Sequence, residues 1–168
     1  QGVWADFIPY RVYRLGGQYY FEFFALPYDW HRNPSDAKGV LFDTNRSYDE
    51  DAVWEMMEKS KVAAYGGNKH VVGHLNPKDT VFFSHKWMGL IAAGEVVGPV
   101  KASGTEEQYR NVRFLTPVPK RGNLSKCMSF AQVSKITGKT FFWARTIKVP
   151  YLTRDESQLL VSELCKVL

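Results

Sequence analysis

The sequence predicts an α+β fold: a twisted, largely antiparallel sheet or small β-barrel with helices packed around it. Three observations predict it. Apolar and aromatic runs of strand length follow one another with Gly and Pro turns between them. Few segments show helical spacing, and most of those open on a capping pattern. Strands adjacent in sequence outnumber helices, which favours antiparallel neighbours over repeated crossover units. The chain's 168 residues are enough for one domain with a real core.

Taken in order, YRVYRL and QYYFEFFAL read as two strands joined at Gly16-Gly17, a hairpin signal. PYDWHRNPSDAKG is a loop, and GVLFDT a short strand. Ser47-Tyr48-Asp49-Glu50 has the capping-box pattern, so a helix is expected to about Ser60, with Val53, Met56, Met57 and Ser60 on one face. Residues 62–74 read as a glycine-rich loop and a short helix. Thr80–Ser84 and Leu90–Val97 are strands around the turn SHKWMG. Tyr109–Val118 is a strand stopped by Pro117 and Pro119. Ser129 starts a short helix that ends near Gly138, and Thr140–Val149 reads as one β-branched strand. Thr153-Arg154-Asp155-Glu156 opens the last helix, with Leu160, Leu164 and Leu168 on one stripe.

Composition narrows the function classes. No apolar run approaches the ~20 residues of a membrane helix, and no signal-like segment follows Gln1, so no membrane partner is expected. The chain reads as a domain trimmed from a longer protein. Cys127 and Cys165 lack metal-ligand spacing, which points to reduced thiols in a cytoplasm. His70 and His74 stand four apart but lack the HExxH pattern, so no metal or other cofactor is expected. The formal net charge is +5, unevenly placed: residues 1–100 carry 10 Lys/Arg against 12 Asp/Glu, residues 101–168 carry 12 against 5. No acid occurs between Gln108 and Arg154, a stretch whose cations suggest a polyanion partner.

No nucleophile motif, carboxylate pair or phosphate-loop spacing is present, so catalytic residues are not expected. The binding signals are stronger. Tyr65-Gly66-Gly67-Asn68-Lys69 offers backbone without Cβ atoms, an amide that can both donate and accept, and a cation. Asn68 is equally suited to cap the short helix after it. Trp87, in a turn beside His85 and Lys86, is a candidate stacking face, as are Tyr65, Trp30 and Trp143. Trp143, in a β-branched strand, is expected in the core. Lys69, Lys86, Lys120, Arg121, Lys126, Arg145 and Lys148 are the candidate phosphate contacts.

VAAYGGNKHVVGHL followed by KDTVFFSHKWMGLIAAGEVVG resembles the PUA-like superfamily, and within it the EVE and YTH-like domains. The shared pattern is an Asn-bearing loop, a short helix, a "GD-x-V-x-F-[SY]" element (here Lys78 to Ser84) and a strand ending in "G-x-A-x-V" (here Gly89 to Val96). YRNVRFLTPVP and WARTIKVPYLTRDESQLLVSEL resemble the following strand and the closing strand and helix. The match covers roughly residues 50–168, leaving 1–46 as a divergent, aromatic-rich N-terminal part of a single domain, 1–168. The resemblance implies a PUA-like fold that reads a modified base, a methylated one in the first place, flipped into an aromatic pocket. It implies DNA rather than RNA, as in methylation-dependent restriction, with a nuclease or motor as further partner. In that family pattern Asn68 contacts the base edge and Ser84 lies at the strand end near the pocket. Where YTH domains carry a Trp before the Asn, this chain has Ala63 and Ala64, so Trp87 or Trp30 would supply the second wall. An RNA-processing domain and a protein-interaction domain are the alternative readings.

Overall fold

The structure is a computed structural model describing residues 4–28, 37–44, 49–86, 88–144 and 146–168, with side chains of only 14 and 16–19 described within the first segment. β1 (Trp4–Leu15) and β2 (Gln18–Tyr28) form a separate antiparallel hairpin. Its turn is Gly16-Gly17, with φ of 58° and 82°. A two-residue turn with both φ positive matches strand twist, and glycine adopts it without strain.

The remaining elements run β3 (Gly39–Asp43), α1 (Ala52–Glu58), β4 (Lys61–Tyr65), a 3-10 segment (Gly66–His74), β5 (Thr80–His85), β6 (Gly89–Val96), β7 (Lys101–Ser103), β8 (Glu107–Phe114), α2 (Phe130–Thr137), β9 (Phe142–Ala144), β10 (Ile147–Leu152) and α3 (Arg154–Val167). They build one sheet in the order β4-β8-β6-β5-β3-β10-β9, with β7 on β8. The β3–β5 pair is parallel, and the other pairings among the described residues are antiparallel. The fold is α+β with an open sheet, so of the two expected forms it is the sheet and not the closed barrel.

Both faces of this sheet are covered. Val40, Phe42, Val81 and Phe83 point to a core shared with α1 and the 3-10 segment. Leu41 and Phe82, one position along, point to a second core with Val133 of α2 and Leu160 and Leu164 of α3. Strands covered on both faces lose polar alternation, which is why GVLF and VFFS read as unbroken apolar runs. Leu160 and Leu164 are fully buried, each contributing about 1.5–3 kcal/mol of apolar burial.

The caps of α2 and α3 are as expected. Ser129 and Thr153 accept from the amides of Gln132 and Glu156, whose side chains return the bond to the cap amides. α2 ends on Gly138 in the left-handed region, φ 69°. α1 differs: it starts at Ala52 after Asp51, with no side-chain cap, and Asp49 Oδ1 instead accepts from the Asp51 amide at 2.9 Å. Ser47 of the expected capping box lies outside the described residues. The strands β4 and β7 were not expected, and the single strand expected over 140–149 is two antiparallel strands, β9 ending at Ala144 and β10 starting at Ile147.

Candidate nucleic-acid interface

β4 delivers Tyr65 to the bend that the sequence singles out. Gly66 has φ of 57°, a conformation costly for other residues. Its amide donates to the Glu106 carbonyl at 2.8 Å, and Lys69 Nζ donates to the Thr105 carbonyl at 2.6 Å. The bend is thereby pinned to the turn between β7 and β8. Gly67 is exposed, and a Cβ there would meet nothing within 4 Å.

Asn68 lies inside the 3-10 segment, whose N-cap is Tyr65. Capping is therefore not its role, and its half-buried amide makes no hydrogen bond to the described residues. Tyr65 is half-buried with its ring packed on the main core and its hydroxyl buried. Much of that ring is spent on packing.

Ser84 lies near the end of β5. It is 1% exposed, and its hydroxyl donates to the Phe42 carbonyl at 2.9 Å while its own carbonyl accepts from the Thr44 amide and hydroxyl. It latches the ends of β3 and β5 together. His85 and the exposed Lys86 follow it, with His85 Nδ1 3.1 Å from the Lys86 carbonyl oxygen. Trp87, Trp30 and Arg145 lie outside the described residues.

The cations of the second half divide sharply. Lys120 and Lys126 are exposed and without an ion pair among the described residues. Arg121 is not free: its guanidinium reaches Glu58 at 2.9 and 3.1 Å and Asp51 at 2.7 Å. Those acids sit on or beside α1, far away in sequence, so an acid-free stretch did not mean acid-free surroundings. Arg110 is buried, donating to the Gly98 and Leu75 carbonyls, and burial lowers its pKa against the pull of Asp79. Lys139 binds Glu156 at 2.7 Å.

Lys148 is buried too, with Nζ 3.8 Å from the Phe130 ring centroid and 4.7 Å from that of Trp143. Burial lowers its pKa. Trp143, expected in the core, is 41% exposed, because β9 is a three-residue outer strand. Its ring meets Phe130 edge-on, centroids 5.9 Å apart at 85°. This cluster was not assembled from sequence, since Phe130 comes from α2 and only the register Lys148↔Trp143 brings the other two together.

A cavity of about 550 Å³ opens elsewhere, lined among others by Lys78, Thr80, Glu95, Leu115, Arg154 and Gln158, and no residue of the 65–69 bend lines it. Among the described residues, no cluster of His, Cys, Asp or Glu suited to a metal ion occurs. Both cysteines are free thiols.

No protein-family model matches the sequence. No curated protein matches it either. In fold, the chain is similar to the Mmi1 YTH domain, whose crystal structure is a complex with RNA: the likeness covers 77% of this chain and 79% of that one, with a TM-score of 0.51 and 10% identity. At that identity it is a likeness of fold. The fold is YTH-like, and nothing in it singles out the EVE branch.

Proposed function

We propose that this chain is a nucleic-acid-binding module that receives a modified base beside the Gly66–Lys69 bend. The observation that carries the reading is the fold likeness to a domain solved with RNA. The bend adds chemistry suited to a base: no Cβ at Gly67 and an amide at Asn68 that makes no hydrogen bond to the described residues. Tyr65 offers the part of its ring that the core leaves uncovered, and Trp87 or Trp30 supplies the facing wall. Exposed Lys120 and Lys126, with Lys86, hold phosphates.

Magnitudes shape the expected behaviour. Stacking gives about 1–3 kcal/mol per base, which offsets the few kcal/mol needed to extrude one from a duplex. Single strands should therefore bind more readily than duplexes. One buried methyl adds only ~0.8 kcal/mol, under a tenfold preference. Strong discrimination then requires exclusion of water or a clash with the unmodified base.

The neighbour's RNA makes RNA the first strand to test; the DNA-reading, restriction-linked role is the narrower form of the same proposal. The test is an anisotropy screen of methylated, hydroxymethylated and plain oligonucleotides, single- and double-stranded, RNA and DNA, against the chain and its Asn68→Ala and Trp87→Ala variants. A modified-over-plain preference that both variants erase is expected. Equal binding of all oligonucleotides, or none, sinks the reading.

A further inference from the structure

Three lysines of this chain have their ammonium groups largely out of water, and they are not treated alike. Lys38 Nζ has the Asp79 carboxylate at 2.6 Å, and Lys61 Nζ has Glu107 at 2.6 Å. Lys148, 9% exposed, has neither carboxylate nor hydrogen-bond acceptor among the described residues; its ammonium stands against two aromatic rings. Buried charges are normally paired, because desolvating an ion is costly. Where the fold uses a buried lysine as a fastener, it provides the anion. At Lys148 the rings stabilise the cation without neutralising it, and the three N–H donors are unspent.

The rings differ: Phe130 packs against the second core, whereas Trp143 does not. Trp143 is 41% exposed, and its orientation is fixed by the edge-on contact with Phe130 at the start of α2. An indole held rigidly at the surface, with an unneutralised ammonium beneath it, is pre-organised for a ligand carrying both a flat ring and an anion. A nucleotide has that chemistry. The site lies on the outer strand β9 and its neighbour β10, whereas the bend follows β4 at the opposite end of the strand order.

We propose that Trp143 and Lys148 form a second nucleotide subsite, in which a base of the bound strand stacks on the indole and the adjoining phosphate takes the Lys148 ammonium. It rests on the nucleic-acid-binding reading and deepens it: the base at the bend sets preference, and this subsite grips an unselected neighbour. Stacking tolerates any base, so the subsite adds affinity without specificity.

The experiment compares single-stranded hexamers, with and without the modified base, on the wild type and on Trp143→Ala, Trp143→Phe, Lys148→Met and Asn68→Ala, each checked for a cooperative melt. Trp143→Ala is expected to weaken every hexamer by about 5- to 150-fold, the equivalent of one stacked base, with the modified-to-plain ratio unchanged and Trp143→Phe largely restoring binding. Lys148→Met should lower the log–log salt slope by about 0.7, one phosphate on a single strand. NMR of the Lys148 ε-position, titrated with and without hexamer, gives a second readout: a bound phosphate favours the ammonium, so its titration moves to higher pH. Binding within twofold of wild type by a folded Trp143→Ala, or an unmoved Lys148 titration, overturns the subsite. So does a polyglutamate peptide that binds as tightly as the hexamers. If the wild type binds hexamers and only Asn68→Ala changes anything, the subsite falls and the base-reading proposal stands. If Asn68→Ala leaves the preference intact while Trp143→Ala weakens binding, the subsite stands and the assignment at the bend falls.

Discussion

Removal of the Asp79 carboxylate should unfasten the parallel centre of the sheet. Asp79 is fully buried. It accepts from the Lys38 amide at 3.1 Å, Lys38 Nζ at 2.6 Å and the Asn76 amide at 2.8 Å. It thus joins the residue before β3, the start of β5 and the end of the 3-10 segment in one knot. Hydrogen bonds to a charged group contribute about 1.5–3 kcal/mol each, but three on one carboxylate do not add. Breaking one side of a buried pair costs about 3–5 kcal/mol, and that governs here, because Lys38 Nζ is left with a side chain only 12% exposed. Asp79→Ala should therefore lose about 3–5 kcal/mol, roughly 6–20 °C of Tm for a domain of this length. Urea unfolding followed by circular dichroism measures the loss. Replacing both partners, Lys38→Met with Asp79→Leu, should recover most of it, since no charge is left stranded. A loss under 1 kcal/mol in Asp79→Ala, or a double variant no better than the single, would refute the reasoning.

Leu160→Ala, which empties a fully buried site between α3 and the sheet, should cost about 2–5 kcal/mol in the same assay. Gly89→Ala should be as damaging: at φ 124° its Cβ would stand 2.0 Å from the Met128 carbonyl oxygen, and the Leu90–Met128 bridge beside it would have to open. Glu156→Gln isolates a charge without losing a cap, because glutamine also serves the capping box. Burial by itself would raise the Glu156 pKa, but hydrogen bonds from Lys139 and from Thr153 outweigh it and hold it below the ordinary 4.5. A lowered folded value contributes stability that is present above the unfolded pKa and lost as pH falls through the folded one. The stability difference between wild type and Glu156→Gln should accordingly be flat above about pH 4.5 and shrink below it; a difference that grows on acidification would reverse the sign.

What the sequence disclosed and what it hid follow from the range of the interactions concerned. The caps at Ser129 and Thr153 are written within four residues, and both helices start where the pattern places them. The hairpin at Gly16-Gly17 is equally local. β4 escaped because Lys61, Val62, Ala63 and Ala64 are all buried, so no alternation marks a strand, and Lys61 is carried inside by Glu107, 46 residues away. The break between β9 and β10 escaped because TFFWARTIKV contains neither Gly nor Pro. Missing that break put Trp143 in the core and separated it from Lys148. At the bend, the conformation of Gly66 was legible, whereas the packing of Tyr65 and the latch made by Ser84 depend on partners brought from elsewhere in the chain.

The same distinction bears on the charge argument, and it yields a number. Residues 101–168 carry 12 Lys/Arg. If all met phosphates of a single strand, log Kobs against log salt would fall with a slope of about −8, at about 0.7 per contact. The structure removes six from that count. Arg110 is buried against carbonyls, Arg121 and Lys139 are held by acids, and Arg113 and Lys166 face Glu95 and Glu163. Lys101 is held by the Asn111 side chain. Lys120, Lys126, Lys135 and Arg154 are exposed and without a partner among the described residues, which allows a slope of about −3. Adding Lys148 and Arg145 brings it to about −4. Affinity for a single strand of about 15 nucleotides, long enough to offer a phosphate to every one of these cations, measured between 50 and 200 mM salt should then fall by roughly 60- to 250-fold. A slope near −8 would mean that the ion pairs of Arg121 and Lys139 open on binding and that the whole basic half is engaged; a slope near zero would mean that the surplus charge faces no phosphate at all.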